Sequence, residues 1–420
     1  MGINMHVLLL TQNFPPEIGS AAAKMSEMAR YLTQRGHLVS TVSQIPCYPP
    51  GAVYSGYDGA WFRREIMDGF RITRTWSFAP PSRDRFWPVL ANFTSFMASA
   101  VAGILAGPRP DIIYVYSPPL FLGLTATVTS KLWRCPFVFW VNDLYPRAAL
   151  SLGYLKENFF YRLACVMERF IYRQAARIFV YSRQMGLEVI ADGASPKKVE
   201  LHPLWIDTEV FRPDPEGGAR VRHLYGWEGK FIVLYGGNIG LAQGLDVLVE
   251  AARILRGNQD FHFVIMGTGV EKENLGKRAR DYGLTNLEFI GHQPKGKVLA
   301  YFSAADVLFA HLKAAPHRVG TVPEKMLAYM ACGRSVIMAA QEGAAADVVR
   351  EHNCGVVVSP DNPEAIVRAV LALNRHRQNL DAMGARGRQA AELYFAGPKV
   401  LMAMEASLSK IAKSQPILPE

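Results

Sequence analysis

Cysteine is scarce in the 420-residue sequence and carries no pairing pattern. Cys47, Cys135, Cys165, Cys332 and Cys354 are odd in number and scattered, and no Cys-x-x-Cys occurs. This argues against a disulfide framework and a cysteine zinc site, and fits a reducing cytosol. His202, His223 and His262 have no partner spacing that would make them metal ligands, so they are expected to be structural or surface residues. Internal repeats and low-complexity tracts are absent, which argues against a solenoid or a linker array. Long apolar runs are missing too. MHVLLL (5–10) is too short for the hydrophobic part of a signal peptide and reads as a buried first strand. The longest weakly polar run, VLANFTSFMASAVAGILAG (89–107), contains Asn, Thr and Ser and is expected to be a helix packed on a sheet; a monotopic role for part of it stays open.

What is present is an ordinary globular composition, 50% hydrophobic and 20% charged, in a chain long enough for two cores. The charge is uneven. Residues 1–205 hold 21 Lys and Arg against 13 Asp and Glu, whereas the remainder holds 25 against 23. DRFW (84–87) and ERFIYRQAAR (168–177) are among the basic-aromatic stretches of the first half. Solvated helix faces would account for the excess, and so would an anionic membrane surface or a lipid-phosphate acceptor, at about 1 kcal/mol per well-placed cation. No nucleic-acid motif accompanies it, and no nucleic-acid partner is expected.

Short apolar runs alternate with helical patterns along the whole chain. HVLLLT (6–11), LVSTVSQ (38–44), DIIYVYS (111–117), PFVFWV (136–141) and RIFVYS (177–182) are strand candidates. The helical pattern at 20–36 has Gly36 as its expected C-cap. The alternation restarts with FIVLYG (231–236), HFVIMG (262–267), LEFIG (287–291), ADVLFAH (305–311), SVIMAA (335–340) and GVVVS (355–359). Strands this apolar suit parallel sheets covered on both faces, so two doubly wound α/β domains in tandem are expected. The join is expected near PLWIDTEVFRPDPEGG (203–218), with Trp205 and Asp207 marking a hinge.

Doubly wound sheets bind ligands at the carboxyl ends of their strands. In the second half those positions are rich in glycine: GGNIGLAQG (236–244), GTGV (267–270), GHQPKG (291–296), HLKAAPHRVGTVPEK (311–325) and AAQEGAA (339–345). Glycine permits close backbone approach to a phosphate or a ring, and its concentration at these ends favours a nucleotide site. GTVPEKMLAYMACG (320–333) reads as a helix whose entry holds Lys325, with Arg318 just upstream. A helix N-terminus carries roughly half a positive charge and lysine adds a full one, enough to stabilise a departing diphosphate without a metal. Glu324 would repel a phosphate and suits ribose hydroxyls better.

The chain resembles the family 4 glycosyltransferases of the two-domain GT-B fold. It is most similar to the bacterial branch that transfers amino sugars, fucosamine-type, in O-antigen, capsule and exopolysaccharide assembly. The resemblance rests on residues 12–51, PDIIYVYSPPLFLG (110–123), VNDLYP (141–146), IDTEVFRP (206–213), YGGNIGLAQGLDVLVEAA (235–252) and GTVPEKMLAYMACGRSVI (320–337). It implies an acceptor-binding domain over 1–205 and a donor-binding domain over 206–397, with a cleft between two Rossmann-like folds. A final helix within 398–420 would return to the first domain. It also implies a retaining transfer from a nucleotide-diphosphate sugar, UDP by default, to a glycan or lipid-pyrophosphate-linked acceptor. No cofactor and no metal are expected, and the place is the cytoplasm, with peripheral contact at the inner face of the membrane open.

By the same resemblance Gly19 lets backbone approach the donor phosphates, Gly267 and Gly269 line the donor site, and His292 and Gln293 meet the base. Gly320, Thr321 and Val322 belong to the donor loop that leads to Glu324 and Lys325. Tyr48, Pro49 and Pro50 lie in a loop that shapes the acceptor pocket. Several positions depart from the family pattern. Asn238 and Gln243 stand where many members have an Arg and a Lys on the diphosphate. Gly320 and Ala328 stand where many have a pair of glutamates. Asn142, beside Asp143, replaces a frequent histidine. Lys325 and Arg318 are therefore the expected substitutes for the missing clamp. Asp143 fits a sugar contact or a helix cap, and Asp111 a strand entry. A GT-B pseudoenzyme and a sugar-nucleotide epimerase remain the alternatives.

Overall fold

The computed structural model describes residues 4–48, 52–81, 86–151 and 155–414. Pro49, Pro50, the start of the DRFW stretch and the last six residues lie outside them. The chain forms two compact units, Met1–His202 with Leu401–Glu420, and Pro203–Val400.

The first unit is built on an eight-stranded sheet of β1 (His6–Leu10), β2 (Leu38–Gln44), β3 (Phe62–Met67), β4 (Phe70–Thr75), β5 (Ile112–Ser117), β6 (Phe137–Val141), β7 (Arg177–Val180) and β8 (Val199–Leu201). The spatial order is β3-β4-β2-β1-β5-β6-β7-β8, and only β3 runs antiparallel to its neighbour. β1, β5 and β6 are buried at every residue, as strands covered on both faces require. The β3–β4 hairpin has no counterpart among the apolar runs because Arg63, Arg64 and Glu65 interrupt β3 and Arg71, Thr73, Arg74 and Thr75 interrupt β4. Its signal is the Asp68-Gly69 turn, both residues in the left-handed region at φ 49° and 86°. Asp111 does sit at a strand entry: its Oδ2 accepts the His6 backbone N–H at 2.7 Å.

The run at 89–107 is the helix Phe86–Leu105. Among the described residues it is one helix long and apolar enough to cross a membrane, yet Asn92, Phe96, Ala100, Gly103 and Ile104 are buried. A Cβ on Gly103 would lie 2.5 Å from the Thr75 methyl, so this face sits hard against the sheet. The helix Ser20–Gln34 stops one residue before Arg35, its C-cap, and Gly36 follows at φ 90°. The helix Gly397–Lys413 contributes its later part to this unit, where Glu405 accepts hydrogen bonds from Tyr31 Oη at 2.8 Å and from Arg35.

At the carboxyl ends of β1 and β2 a polar network fixes the loops. Glu17 accepts the backbone N–H groups of Phe14, Cys47 and Tyr48 at 3.0–3.2 Å, and the amide of Gln44 at 3.1 Å. Burial raises the Glu17 pKa and these donors oppose the rise. Arg74, fully buried on β4, donates to Phe14 O, Pro15 O and Ser43 Oγ and pairs with Glu65 at 3.4 Å. Removing one partner of such a buried set leaves the others unsatisfied. Arg74→Met is expected to destabilise the unit by about 3 kcal/mol. A shift of the urea midpoint worth less than about 1 kcal/mol would mean the loop holds without it.

The second unit has six parallel strands: β9 (Phe231–Gly236), β10 (Phe261–Met266), β11 (Leu287–Ile290), β12 (Val307–His311), β13 (Ser335–Ala339) and β14 (Gly355–Val358). Their order, β11-β10-β9-β12-β13-β14, places the reversal of direction between β9 and β12. Ligand crevices of this fold class open at such a reversal, outside the strand carboxyl ends. Trp205 is buried, and Asp207 Oδ1 accepts the N–H groups of Glu209 and Val210 at 3.0 Å, so it closes a turn.

Candidate active site

The loops that follow β9 and β12 meet at the reversal point of the second unit. The helix Glu324–Ala331 begins there, with Pro323 at its N-cap and no side-chain cap. Lys325, in its first turn, reaches β9. Its ammonium lies 4.0 Å from the centre of the Tyr235 ring and donates to Tyr235 Oη. Tyr235 Oη in turn donates to Asn238 O at 2.6 Å. One turn along the helix, Tyr329 Oη exchanges hydrogen bonds with the N–H and C=O of Gly236, both at 3.0 Å. Lys325 and Tyr329 are four residues apart, so one helix face presents both to the end of β9.

Desolvation lowers the Lys325 pKa from 10.5 to about 7. Among the described residues the cation rests on the π face and hydroxyl of Tyr235 and pairs with no carboxylate, so an arriving anion would be its first full counter-charge there. Burial pushes the Tyr235 phenol upward, keeping it protonated and able to donate. The helix N-terminus adds its partial positive charge.

The surrounding loops are tied to one another. Arg318 Nη1 donates to Ala242 O at 2.9 Å. His311, the last residue of β12, bonds Gln243 O through Nδ1 at 2.6 Å, while its Nε2 accepts the Asp361 N–H at 3.4 Å. These partners select the neutral tautomer protonated on Nδ1, in keeping with a pKa lowered by burial. One imidazole thus joins the loops after β9 and β14. Gln243 Oε1 accepts the Gly240 N–H at 3.2 Å and the Asn238 amide at 3.5 Å. Where the resemblance expects charged side chains, these two amides stabilise their own loop.

Of the expected site residues, Lys325, Arg318, Asn238 and Gln243 come together here, with Gly320, Thr321, Val322 and Glu324 in the segment that joins Arg318 to Lys325. His292 and Gln293 follow β11, two strands away from β9, with His292 exposed. Gly19, Asn142 and Asp143 belong to the first unit. Gly19 has extended backbone, and a Cβ there would meet nothing within 4 Å. Asn142 donates through its backbone N–H to Ser117 O at 3.0 Å and accepts from Tyr181 Oη at 3.2 Å. Asp143 is exposed.

Gly267 and Gly269 have a more immediate cause than ligand approach. A Cβ at Gly267 would stand 1.9 Å from Gly237 O, and one at Gly269 2.1 Å from Ile239 O, at φ 146° and 156°. They are glycines because the loops after β9 and β10 run backbone against backbone, with Ile239 N donating to Thr268 O at 2.8 Å. Tyr235, Tyr329 and His311 are the members that sequence patterns did not single out. The i, i+4 spacing of Lys325 and Tyr329 was the available signal for one of them.

Two family models match the chain. "Glycosyl transferase 4-like domain" covers residues 19–205, and "Glycosyl transferases group 1" covers 223–390. The chain belongs to the family 4 glycosyltransferases. This glycosyltransferase is 28% identical, over 89% of its length and 93% of the relative, to the putative colanic acid biosynthesis glycosyl transferase WcaI of Escherichia coli K12. It is 31% identical, over 46% of its length and 51% of the relative, to a GDP-mannose-dependent phosphatidylinositol monomannoside mannosyltransferase of Mycolicibacterium smegmatis. Its fold is that of Anabaena HepE, solved in complex with UDP, at a TM-score of 0.74, 16% identity and coverage of 97% and 100%. The GT-B architecture of two Rossmann-like domains is therefore established.

The glycosyltransferase should not tolerate a side chain between its β9 and β10 loops. Gly267→Ala is expected to cost about 3 kcal/mol, through the clash and the positive φ. Gly291→Ala, where a Cβ would meet nothing within 4 Å, serves as the control. Equal thermal midpoints for the two variants would show that the loops part readily.

Proposed function

We propose that this glycosyltransferase transfers an N-acetylated amino sugar from a UDP donor to a lipid-linked glycan, with retention of anomeric configuration. The place is the cytoplasmic face of the membrane, during assembly of a bacterial surface polysaccharide. The observation that carries the donor part is the Lys325 ammonium, held on Tyr235 at the carboxyl end of β9 beside a helix N-terminus. The relative named for colanic acid biosynthesis supports the pathway class, and the neighbour solved with UDP supports the base.

In this scheme the leaving diphosphate rests against Lys325 and the start of the helix, with Arg318 beside it. The acceptor hydroxyl attacks the anomeric carbon from the face the diphosphate leaves, and its proton passes to the departing phosphate oxygen. No side-chain nucleophile takes part, so rate comes from alignment and from charge stabilisation of the leaving group. Glu324 accepts hydrogen bonds from ribose hydroxyls, the backbone after β11 at His292 and Gln293 meets the base, and Asn142 and Asp143 address the sugars. No metal is required where a lysine and a helix terminus meet the diphosphate charge.

Lys325→Ala is expected to lower kcat/KM by ~10²–10³, the loss for one preorganised charge-stabilising group. A fall of less than about threefold would move leaving-group stabilisation to other residues. The assay compares UDP- and GDP-linked sugars, since the mannosyltransferase relative is named for a GDP donor.

The lowered lysine pKa gives a second expectation. Free Lys325 is half protonated near pH 7, and a bound diphosphate raises its pKa again. UDP binding should therefore take up a proton above pH 7, and affinity should weaken as pH rises through that value. Calorimetry in buffers of different ionisation enthalpy reads the uptake. Proton-neutral binding at pH 8, or uptake unchanged in Lys325→Met, would place the anion elsewhere.

A further inference from the structure

The helix Phe159–Gln174 of the first unit wears its apolar residues on two sides. Ile171 and Tyr172 are buried, together with Glu168, whose Oε1 accepts the Tyr172 hydroxyl at 2.9 Å. These residues account for the packed face. A second apolar stripe, Phe159, Leu163, Val166 and Phe170, repeats at the 4-3-4 spacing of one helix face and is exposed by 71%, 52%, 57% and 39%. Arg162, Arg169 and Arg173 form a neighbouring stripe at seven- and four-residue spacing, and all three are exposed. The Asn158 side chain caps the helix by accepting the Phe160 and Tyr161 N–H groups at 3.0 and 3.3 Å, so the segment is a well-started helix.

Beside the stripe lies an apolar cavity of about 240 Å³. Leu90 and Phe93 of the helix Phe86–Leu105 line one wall, Phe121 another, and Phe160, Leu163 and Met167 the third. Leu163 belongs to both the stripe and the cavity, so the opening lies along the exposed apolar face. Trp87, at the start of the neighbouring helix, is also exposed.

We propose that this face docks on an anionic phospholipid bilayer, with the helix Phe159–Gln174 lying in the interface and a hydrocarbon chain entering the cavity beside Leu163. An apolar stripe flanked by arginines is the pattern of a helix that rests in the headgroup boundary, its apolar side among acyl chains and its cations on lipid phosphates. Charge complementarity favours the bilayer over a protein partner. The three arginines are exposed, Glu168 is turned inward to Tyr172, and most of the excess of positive charge in the chain falls within residues 1–205. The inference extends the lipid-linked acceptor of the reading above, and its test does not involve the donor site.

The test is cosedimentation of the full chain with phosphatidylcholine–phosphatidylglycerol vesicles and with pure phosphatidylcholine vesicles, together with UDP binding in solution. The wild-type chain should pellet with the mixed vesicles, and more weakly in high salt. Arg162→Gln with Arg173→Gln should weaken that binding about thirty-fold, from roughly 1 kcal/mol per cation at the surface. Leu163→Glu with Val166→Glu should abolish it, and an unchanged thermal midpoint in both variants would show that the first unit, which holds all four positions, is still folded. Wild-type protein that stays in the supernatant with both vesicle types would overturn the proposal, as would a Leu163→Glu, Val166→Glu variant that binds normally. Self-association in solution that the same pair of substitutions abolishes would assign the face to a second copy of the chain and overturn it too. A wild-type chain that binds UDP but no vesicles sinks the docking surface alone, whereas a wild-type chain that binds mixed vesicles but no UDP sinks the donor site alone.

Discussion

The candidate donor site depends on one ammonium group kept partly out of water. Lys325 has the face of Tyr235 and its hydroxyl as neighbours, and this environment stabilises its charge less well than water does. A cation in that state gains more from a diphosphate than a solvated surface lysine would. The rest of the arrangement maintains the geometry. Tyr329 pins the same helix to Gly236, and Tyr235 is oriented by its bond to Asn238 O. The positions where family resemblance expects charged groups, Asn238 and Gln243, have become internal bonds of the loop, and the cation arrives from the helix on the other side of the reversal point.

Rigidity of the loops follows from contacts that leave no room for side chains. Gly267 and Gly269 let two main chains run together, and Gly343 does the same against Val319 O, which also accepts the Ala344 N–H at 2.8 Å. His311 and Arg318 then tie the loop after β9 to those after β12 and β14. Groups aimed in advance of the ligand stabilise a developing charge without reorganising, which is how a site with few charged residues can still act on a leaving diphosphate.

Much of the architecture was legible because period and polarity agree with burial in parallel sheets. LVSTVSQ and FIVLYG are strands over the expected residues, and the other apolar runs differ by one or two at their ends. The β3–β4 hairpin was not legible from apolar runs, since one of its strands is an edge and both carry arginines. Lys325 and Arg318 were legible as a basic pair ahead of a helix, whereas Tyr235 and Tyr329 look like ordinary core aromatics until the helix is docked on β9. The basic-aromatic stretch at 168–177 was visible as composition, but which of its neighbours face solvent depends on where Ile171 and Tyr172 are packed.

The sequence by itself determined two successions of apolar strands and helices, their glycine-rich carboxyl ends and a lysine in the first turn of a helix. These are properties of period and of near neighbours, which the chain writes locally. Only the tertiary structure decided what Lys325 rests on, why Gly267 and Gly269 admit no side chain, and which apolar stripe of the helix Phe159–Gln174 remains uncovered. Each of those depends on residues tens of positions apart whose desolvation, clash or exposure exists only once the elements have packed.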